Sequence, residues 1–483
     1  MRVLVIAAHP DDEDTQLITW LTRGRHVETA YLALTRGDGG QNLLGNELGE
    51  ALGVIRTEEL LAARRLDGGR QYFTRAYDFG FSKSADETFR HWPRDSILRD
   101  VVTVVRSFKP HVIVAMFSGT PRDGHGHHQA SGILAREAYD VAGDTVRFPR
   151  SATEGQGAWA PLKFYRGAWA AAPTDPVLRI NVGEFDPMAG RSYAEIAAES
   201  RSQHKSQAFG SLQPKGARFT QVRREATRVN ESQVPGTERS MFDGIDTTWA
   251  RFKTAGGSPA VAALIDSLVG AVAAAKSAPY LRTPSTAVPA LLRAMDLLRP
   301  YGSRPNDPEL APDGGVPRVP VSADLAEALR VEHGRVSRAL AIATGVAVEA
   351  QVERPAVAEG DSVGMTVTVY NRGTSPMEVH PESLAGCGGR GAAEAPAGAV
   401  PNAVLLPDSS RVWRGYVCAA TGSAQSPYWL VGGRSGDVFR RASLTRSEAE
   451  ATAGQTFWVS FQAPGDPTNR KRFDISVPIV YRS

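Results

Sequence analysis

At 483 residues the chain exceeds one ordinary domain, and at about 150 residues per domain it holds roughly three. Its 42% hydrophobic, 22% charged and 8% aromatic residues exclude disorder, collagen and coiled coil as descriptions of the whole. The 55 Lys and Arg against 52 Asp and Glu leave a net charge of +3, too small an imbalance for an obligate nucleic-acid binder, and two cysteines, Cys387 and Cys418, are too few for a disulfide framework or a Cys-rich zinc site.

In chain order, residues 2 to 8 read as a buried parallel strand and residues 12 to 23 as a helix through Leu17, Ile18 and Leu21. A strand at Thr29 to Leu34 follows, then a helix near Leu52 to Leu66 and a short strand at Tyr72 and Phe73. A helix near Ser96 to Ser107, a strand His111 to Met116 and a helix near Ala130 to Tyr139 continue the alternation. Alternating strands and helices imply an α/β, Rossmann-like layer structure with a mostly parallel sheet, which presents ligand-binding side chains at the carboxyl ends of its strands. Two short strands between Leu162 and Val182 and a helix Ser192 to Gln207 complete this part. The expected domains are a catalytic-type domain over 1–249, a helical segment over 250–345 and an antiparallel β-sandwich over 346–483. The helices are Ala260 to Ser277, Val288 to Leu298 and Ala323 to Ala341, with six prolines from Pro300 to Pro320 as a linker. The sandwich rests on period-two alternation in Val346, Val348, Val363, Met365, Val367 and Val369, and on later runs at 411–417, 456–462 and 473–480. Ala385 to Ala399 reads as a long loop.

The chemistry concentrates in two places. Ala8-His9-Pro10-Asp11-Asp12-Glu13 follows the first strand directly. Three carboxylates crowded beside one imidazole repel one another in a cleft of low dielectric unless a cation compensates them. Taken alone, the string is equally readable as a helix cap beside a surface histidine. Asp123-Gly124-His125-Gly126-His127-His128 holds three of the chain's ten histidines and follows the strand 111–116, so it too sits at a strand's carboxyl end. Two such clusters on equivalent loops converge on a metal site built from His9, one of Asp11 or Asp12, and one histidine of the second cluster, leaving a position open for water.

These residues, together with Thr35-Arg36-Gly37-Asp38-Gly39-Gly40 after the second strand, resemble the zinc-dependent N-deacetylases of the PIG-L (LmbE-like) family over about residues 1 to 245. The resemblance implies one Zn2+ per chain, or another divalent transition metal, held by His9, Asp12 and His128. It implies Asp11 as general base and His125 as an electrophilic partner beside the metal, which would stabilise the oxyanion if protonated. The substrate it implies is a small amino-sugar conjugate or glycolipid carrying an N-acetylglucosamine-type acetamide. The family often has Asp where this chain has His127, so His127 competes with His128 as ligand. Larger bacterial members carry C-terminal extensions like this one.

Three further residues are weaker substrate-binding candidates. Arg56, which resembles the family's Arg on the helix after the second strand, is suited to sugar hydroxyls or phosphate, or equally to an ordinary pair with Glu59. Asp38 is expected to shape the mouth of the site. His204, late in the helix within Arg201 to Gln207, either reaches the site or packs the helix. Tyr72 to Lys83 is suited to a sugar-facing loop or a plain hydrophobic anchor, and Asp78 to Trp92 is a candidate specificity loop. The sandwich is a candidate for glycan or protein contact, and Cys387 and Cys418 for a disulfide.

The apolar stretch Val3 to Ala8 is too short for a signal-peptide core or a membrane span, and Val261 to Ala275, interrupted by Asp266, reads as a soluble helix. The expectation is a cytoplasmic protein without an integral membrane segment, exported if its true N-terminus lies upstream of Met1. The rival to a zinc deacetylase is a non-catalytic glycan-binding protein with a vestigial metal site, or an amidase acting on a different amide.

Overall fold

The structure is a computed structural model, and it describes residues 1–169, 171, 175–210, 212–233, 238–254, 257–302, 319–354, 361–381, 403–418, 427–452, 456–462 and 473–478. The chain divides into two compact units, Met1–Ile245 with Ser426–Thr452, and Asp246–Gln425 with Ala453–Ser483. The segment Ser426–Thr452, within the stretch expected to be sandwich, therefore belongs to the first unit. The reason lies in its side chains: Tyr428, Trp429 and Glu448 meet a buried arginine of that unit, and Leu444 joins its core.

The first unit opens with β1 (Arg2–Ala7), α1 (Thr15–Thr19), β2 (Glu28–Ala33), α2 (Glu50–Asp67) and β3 (Arg70–Phe73). It continues with α3 (Ala85–His91), α4 (Arg94–Phe108), β4 (Val112–Ala115), α5 (Gly126–Val141), β5 (Lys163–Gly167) and β6 (Leu178–Asn181). The short strands β7 (Phe185–Asp186) and β8 (Arg191–Ser192), α6 (Tyr193–Arg201) and β9 (Phe219–Thr227) follow. The seven-stranded sheet runs β3-β2-β1-β4-β5-β9-β6, parallel from β3 to β5 and antiparallel at β9 and β6.

Every residue of β1 is buried, as a central parallel strand requires, and the alternation of side chains splits it between two cores. Leu4 and Ile6 join Ala30, Leu32, Ile113 and Ala115 beneath α4 and α5, while Val3, Val5 and Ala7 join Tyr31, Ala33, Val112 and Val114 beneath α1 and α6. Each fully buried Val, Leu or Ile contributes about 1.5–3 kcal/mol relative to exposure, so β1 is held rigid just where its carboxyl end delivers His9.

The structure departs from the sequence reading at several element ends. α1 begins only at Thr15, because Asp14 caps it by accepting from Leu17 N, and it runs on as a π-helical turn over Trp20–Gly24. α5 begins four residues earlier than expected, at Gly126, so His127 and His128 stand on its first turn rather than in a loop. α6 ends at Arg201, which leaves His204 in the turn beyond it. α3 and β9 have no counterpart in the sequence reading.

In the second unit, helices Pro259–Ser277, Val288–Leu298 and Ala323–Thr344 and two antiparallel sheets share one core. One sheet pairs Val346–Val352, Ser362–Asn371 and Ser409–Cys418; the other pairs Ala403–Leu405, Met377–Pro381, Thr456–Gln462 and Phe473–Pro478. Among the described residues one helix, Pro259–Ser277, is long and apolar enough to cross a membrane. Its Val261, Leu264, Ile265, Leu268, Ala271 and Ala275 are buried in that core. The loop 385–399, most of the proline-rich linker and the pairing of Cys387 with Cys418 lie outside the described residues.

Candidate metal centre

The carboxyl ends of β1 and β4 bring the two polar clusters together. His9 lies at the centre, with the rings of His125, His127 and His128 at centroid distances of 5.2, 5.3 and 5.1 Å. Its Nδ1 is 3.1 Å from Asp12 Oδ2, and that oxygen also accepts from His9 N at 2.7 Å. Burial works against charge on His9, but Asp12 outweighs it and the His9 pKa is raised. Asp12 is buried too, yet His9 and His128 hold its carboxyl well below the usual range.

Two groups of donor atoms each lie within 4.8 Å of one another and could hold a metal ion: His9, Asp12 and His128, and His9, His125 and His127. The first is the expected set, two imidazoles and a carboxylate, the donor chemistry of a catalytic zinc site with positions left open. Asp12 and His128 differ from His125 and His127 of the rival set in access. Asp11, Asp12 and His128 line a cavity of about 770 Å³, whose walls include Phe117, Trp169 and Arg201. His127 is fully buried, wedged against Trp92 and Phe79 at 4.4 Å each, with its Nε2 unpartnered, and burial pushes its pKa far down. His128 instead stacks on Phe117 at 3.9 Å with an interplanar angle of 5°. Gly132 lets this segment lie close to α5, since a Cβ there would stand 2.4 Å from Gly119 N and 2.7 Å from Phe117 O.

Asp11 occupies a strained backbone position, φ +104°, and its neighbours hold it there on three sides. Its N–H donates to Glu13 Oε2 at 2.9 Å, its carbonyl accepts from Arg201 Nη1, and its Oδ1 accepts from Arg56 Nη2 at 2.8 Å. Burial raises its carboxyl above the usual carboxylate range against the pull of Arg56. Glu13 is in turn clamped by Arg64 Nη2 at 3.1 Å and by His204 Nε2 at 2.9 Å. Burial alone would raise the Glu13 pKa, but His204 and Arg64 beside it bring it down to about 2.

Several expected roles change on this geometry. Arg56 is buried and directed at Pro10 O, Gly37 O and Asp11, so it supports the loop, and Glu59 accepts from Ser206 instead of pairing with it. His204 is fully buried on Glu13 and does not reach the cavity. Asp38 is buried rather than at a mouth, and desolvation with the neighbouring Asp78 raises its pKa to about 7. The condition that His125 be protonated is disfavoured at rest: burial first, then His9 and His128, lower its pKa to about 4, and its Nε2 is buried without a partner. Its ring stacks 5.1 Å from Phe81, which is 73% exposed in the expected specificity loop.

The sequence reading missed Asp78 as a site residue, although its carboxylate lies 3.8 Å from His9 Nε2 and 3.6 Å from His127 Nδ1. It also missed Arg201 and Tyr31, whose hydroxyl donates to His9 O at 2.5 Å. Arg201 opens the segment Arg201 to Gln207, singled out only for His204, and Asp78 reaches the site only through the path of the loop after β3. The apolar strand 29–34 is the one signal that places Tyr31 on an inner face.

Comparison with known proteins agrees with the geometry. Residues 4–139 match the family model described as PIG-L: GlcNAc-PI de-N-acetylase. The chain is 30% identical over 186 residues to a 1D-myo-inositol 2-acetamido-2-deoxy-alpha-D-glucopyranoside deacetylase of Rhodococcus opacus (strain B4), covering 34% of this chain and 60% of the relative. It is 31% identical over 145 residues to the diacetylchitobiose deacetylase of Thermococcus kodakarensis, covering 29% and 50%, and 26% identical over 182 residues to a mycothiol S-conjugate amidase of Streptomyces coelicolor, covering 34% and 60%. The chain thus spans half to about three-fifths of the length of these relatives. The four histidines, Asp11, Asp12 and Asp78 all fall inside the stretch matched by the family model, and this chain carries a PIG-L family domain.

Proposed function

We propose that this chain hydrolyses the acetamide of an N-acetylglucosamine-type sugar conjugate, releasing acetate and a free amine. The observation that carries the reading is the convergence of His9, Asp12 and His128 with a strained, clamped Asp11 at the edge of one cavity. Relatives named as deacetylases of amino-sugar conjugates support the substrate class.

His9, Asp12 and His128 would hold a divalent cation, zinc by donor chemistry. Such a cation supplies Lewis acidity, polarising a carbonyl and making water more acidic. Asp11 takes the proton of the attacking water. Arg56 engages its Oδ1 and so fixes the carboxylate plane, and the raised pKa keeps the group basic enough to accept a proton and later return it to the departing nitrogen. His125 meets the carbonyl oxygen: neutral at rest, it donates a ring N–H hydrogen bond that strengthens as negative charge grows beside it. Phe117, stacked on His128, fixes that ring, and Trp169 at the cavity wall offers an aromatic face to a sugar.

Acetate and free-amine release from a panel of N-acetylglucosamine derivatives tests this directly. Turnover on at least one is expected. Silence across the panel with metal bound overturns the assignment and moves weight to an amidase acting on a different amide.

The ligand assignment has its own outcome. His128→Ala is expected to reduce bound metal, measured by elemental analysis after dialysis, by about tenfold or more, while His127→Ala retains it. The reverse result would transfer the ligand role to His127.

A further inference from the structure

Within the first unit, the fully buried guanidinium of Arg36 sits in the loop between β2 and α2 and is gripped from the far end of the chain. Its Nη1 and Nη2 donate to Glu448 Oε1 and Oε2, each at 3.0 Å, with both side chains 1% exposed. Tyr428 OH donates to Glu448 Oε2 at 2.7 Å and accepts from Arg36 Nη2 at 3.1 Å. Phe73 and Trp429 flank the guanidinium at 4.1 and 4.4 Å from their ring centroids. A planar cation with a two-point carboxylate partner and aromatic neighbours is fixed in both position and orientation.

What Arg36 fixes leads to the site. Its Nη1 also donates to Thr57 Oγ1 at 3.2 Å, next to Arg56 on α2. The following residue, Gly37, offers its carbonyl to Arg56 Nη1 at 3.2 Å, and there is no spare room: a Cβ on Gly37 would stand 2.3 Å from that nitrogen. Arg56 then holds Pro10 O and Asp11 Oδ1. Trp429 also packs on α2, where a Cβ at Gly53 would come within 3.3 Å of its ring. More of the segment is tied to the same unit. Phe439 N donates to Arg75 O and Tyr77 N to Asp437 O, and Arg434 bonds Glu50 at 2.7 Å while lying 3.7 Å over Tyr77.

We propose that Glu448, with Tyr428 and Trp429, is a positioning element for Asp11, acting through Arg36, the Gly37 carbonyl and Arg56. Glu448 touches no reacting atom; it sets where the base stands. The inference rests on Asp11 acting as base, and its experiment separates the two.

The test uses the full-length, metal-loaded chain. Replacing both charges together, Arg36→Met with Glu448→Leu, removes the grip without leaving a lone buried charge, so the fold is retained. The expected result is kcat lower by about 10- to 100-fold, KM within about twofold and metal content unchanged. Hydrogen exchange by mass spectrometry is expected to show lost protection in peptides covering 9–14 and 35–40. A purely structural role would alter thermal stability and leave kcat and those peptides at wild-type values, and that result overturns the proposal. Should the double variant fail to fold, Tyr428→Phe decides: a several-fold fall in kcat supports the proposal, and wild-type kcat overturns it. Wild-type protein silent on every acetamide sinks the deacetylase reading alone, because exchange at 9–14 still decides whether Glu448 governs the Asp11 loop.

Discussion

Asp11→Asn is expected to lower acetate release by about 10²- to 10⁴-fold while bound metal stays at the wild-type level. The amide keeps the size of the carboxylate and an oxygen that can accept from Arg56, so the clamp on three sides of this residue persists. What disappears is the ability to take a proton. Steady-state acetate release with elemental analysis on the same preparation checks it. Activity within about threefold of wild type would assign the proton transfer elsewhere, whereas joint loss of metal and activity would mark Asp11 as part of the donor set. Because burial and Asp12 raise the Asp11 pKa against Arg56, the group is neither an ordinary surface carboxylate nor a plain salt-bridge partner.

The second large effect is expected in stability. Arg64 is 4% exposed and lies between two carboxylates whose side chains are fully buried, donating from Nη2 to Glu13 Oε1 at 3.1 Å and to Asp67 Oδ2 at 2.6 Å. Arg64→Ala strands both acids. Glu13 keeps His204, and Asp67 keeps Ser200 Oγ at 2.8 Å and Gly69 N at 2.9 Å, so the loss is not total. Removing one side of a buried pair costs about 3–5 kcal/mol, which for a unit of this size lowers the melting temperature by roughly 5–10 °C. Thermal unfolding followed by circular dichroism measures it; a shift below about 2 °C would show that water or a rearranged His204 replaces the guanidinium. Since Glu13 Oε2 holds Asp11 N, turnover is expected to fall even at temperatures where the variant remains folded.

Much of this was legible in the sequence because local chemistry and local pattern coincide in the first domain. The apolar run before His9 could only be a buried strand, and a polar cluster directly after it had to sit at the sheet's carboxyl edge. The same argument placed His125 to His128, although it put the start of α5 too late because Gly126, His127 and His128 are poor helix formers and the helix is held there by packing. Partners distant in sequence were not legible. The acceptors of Arg56 at Pro10 and Gly37 lie far from it in sequence and carry no local signal, and His204 reads as a site histidine until Glu13 claims it. Asp78 has no periodicity or motif to mark it. Nor does anything in the run Tyr428 to Glu448 distinguish it from a loop between sandwich strands, since what fixes its place is one arginine more than 390 residues away.

That distance also orders events during synthesis. Arg36 and Glu448 are 412 positions apart, and at roughly 5–20 residues per second a ribosome takes about 20 to 80 s to travel between them. The central strands can pair early, because β1 to β5 are complete by residue 167. Throughout that interval the nascent domain carries Arg36 without its two-point partner Glu448, and Phe73 without Trp429 on the other side of the guanidinium. The first unit is therefore expected to reach its final geometry only after most of the second has been made, and release of a chain shortened before residue 448 would leave its site unfinished.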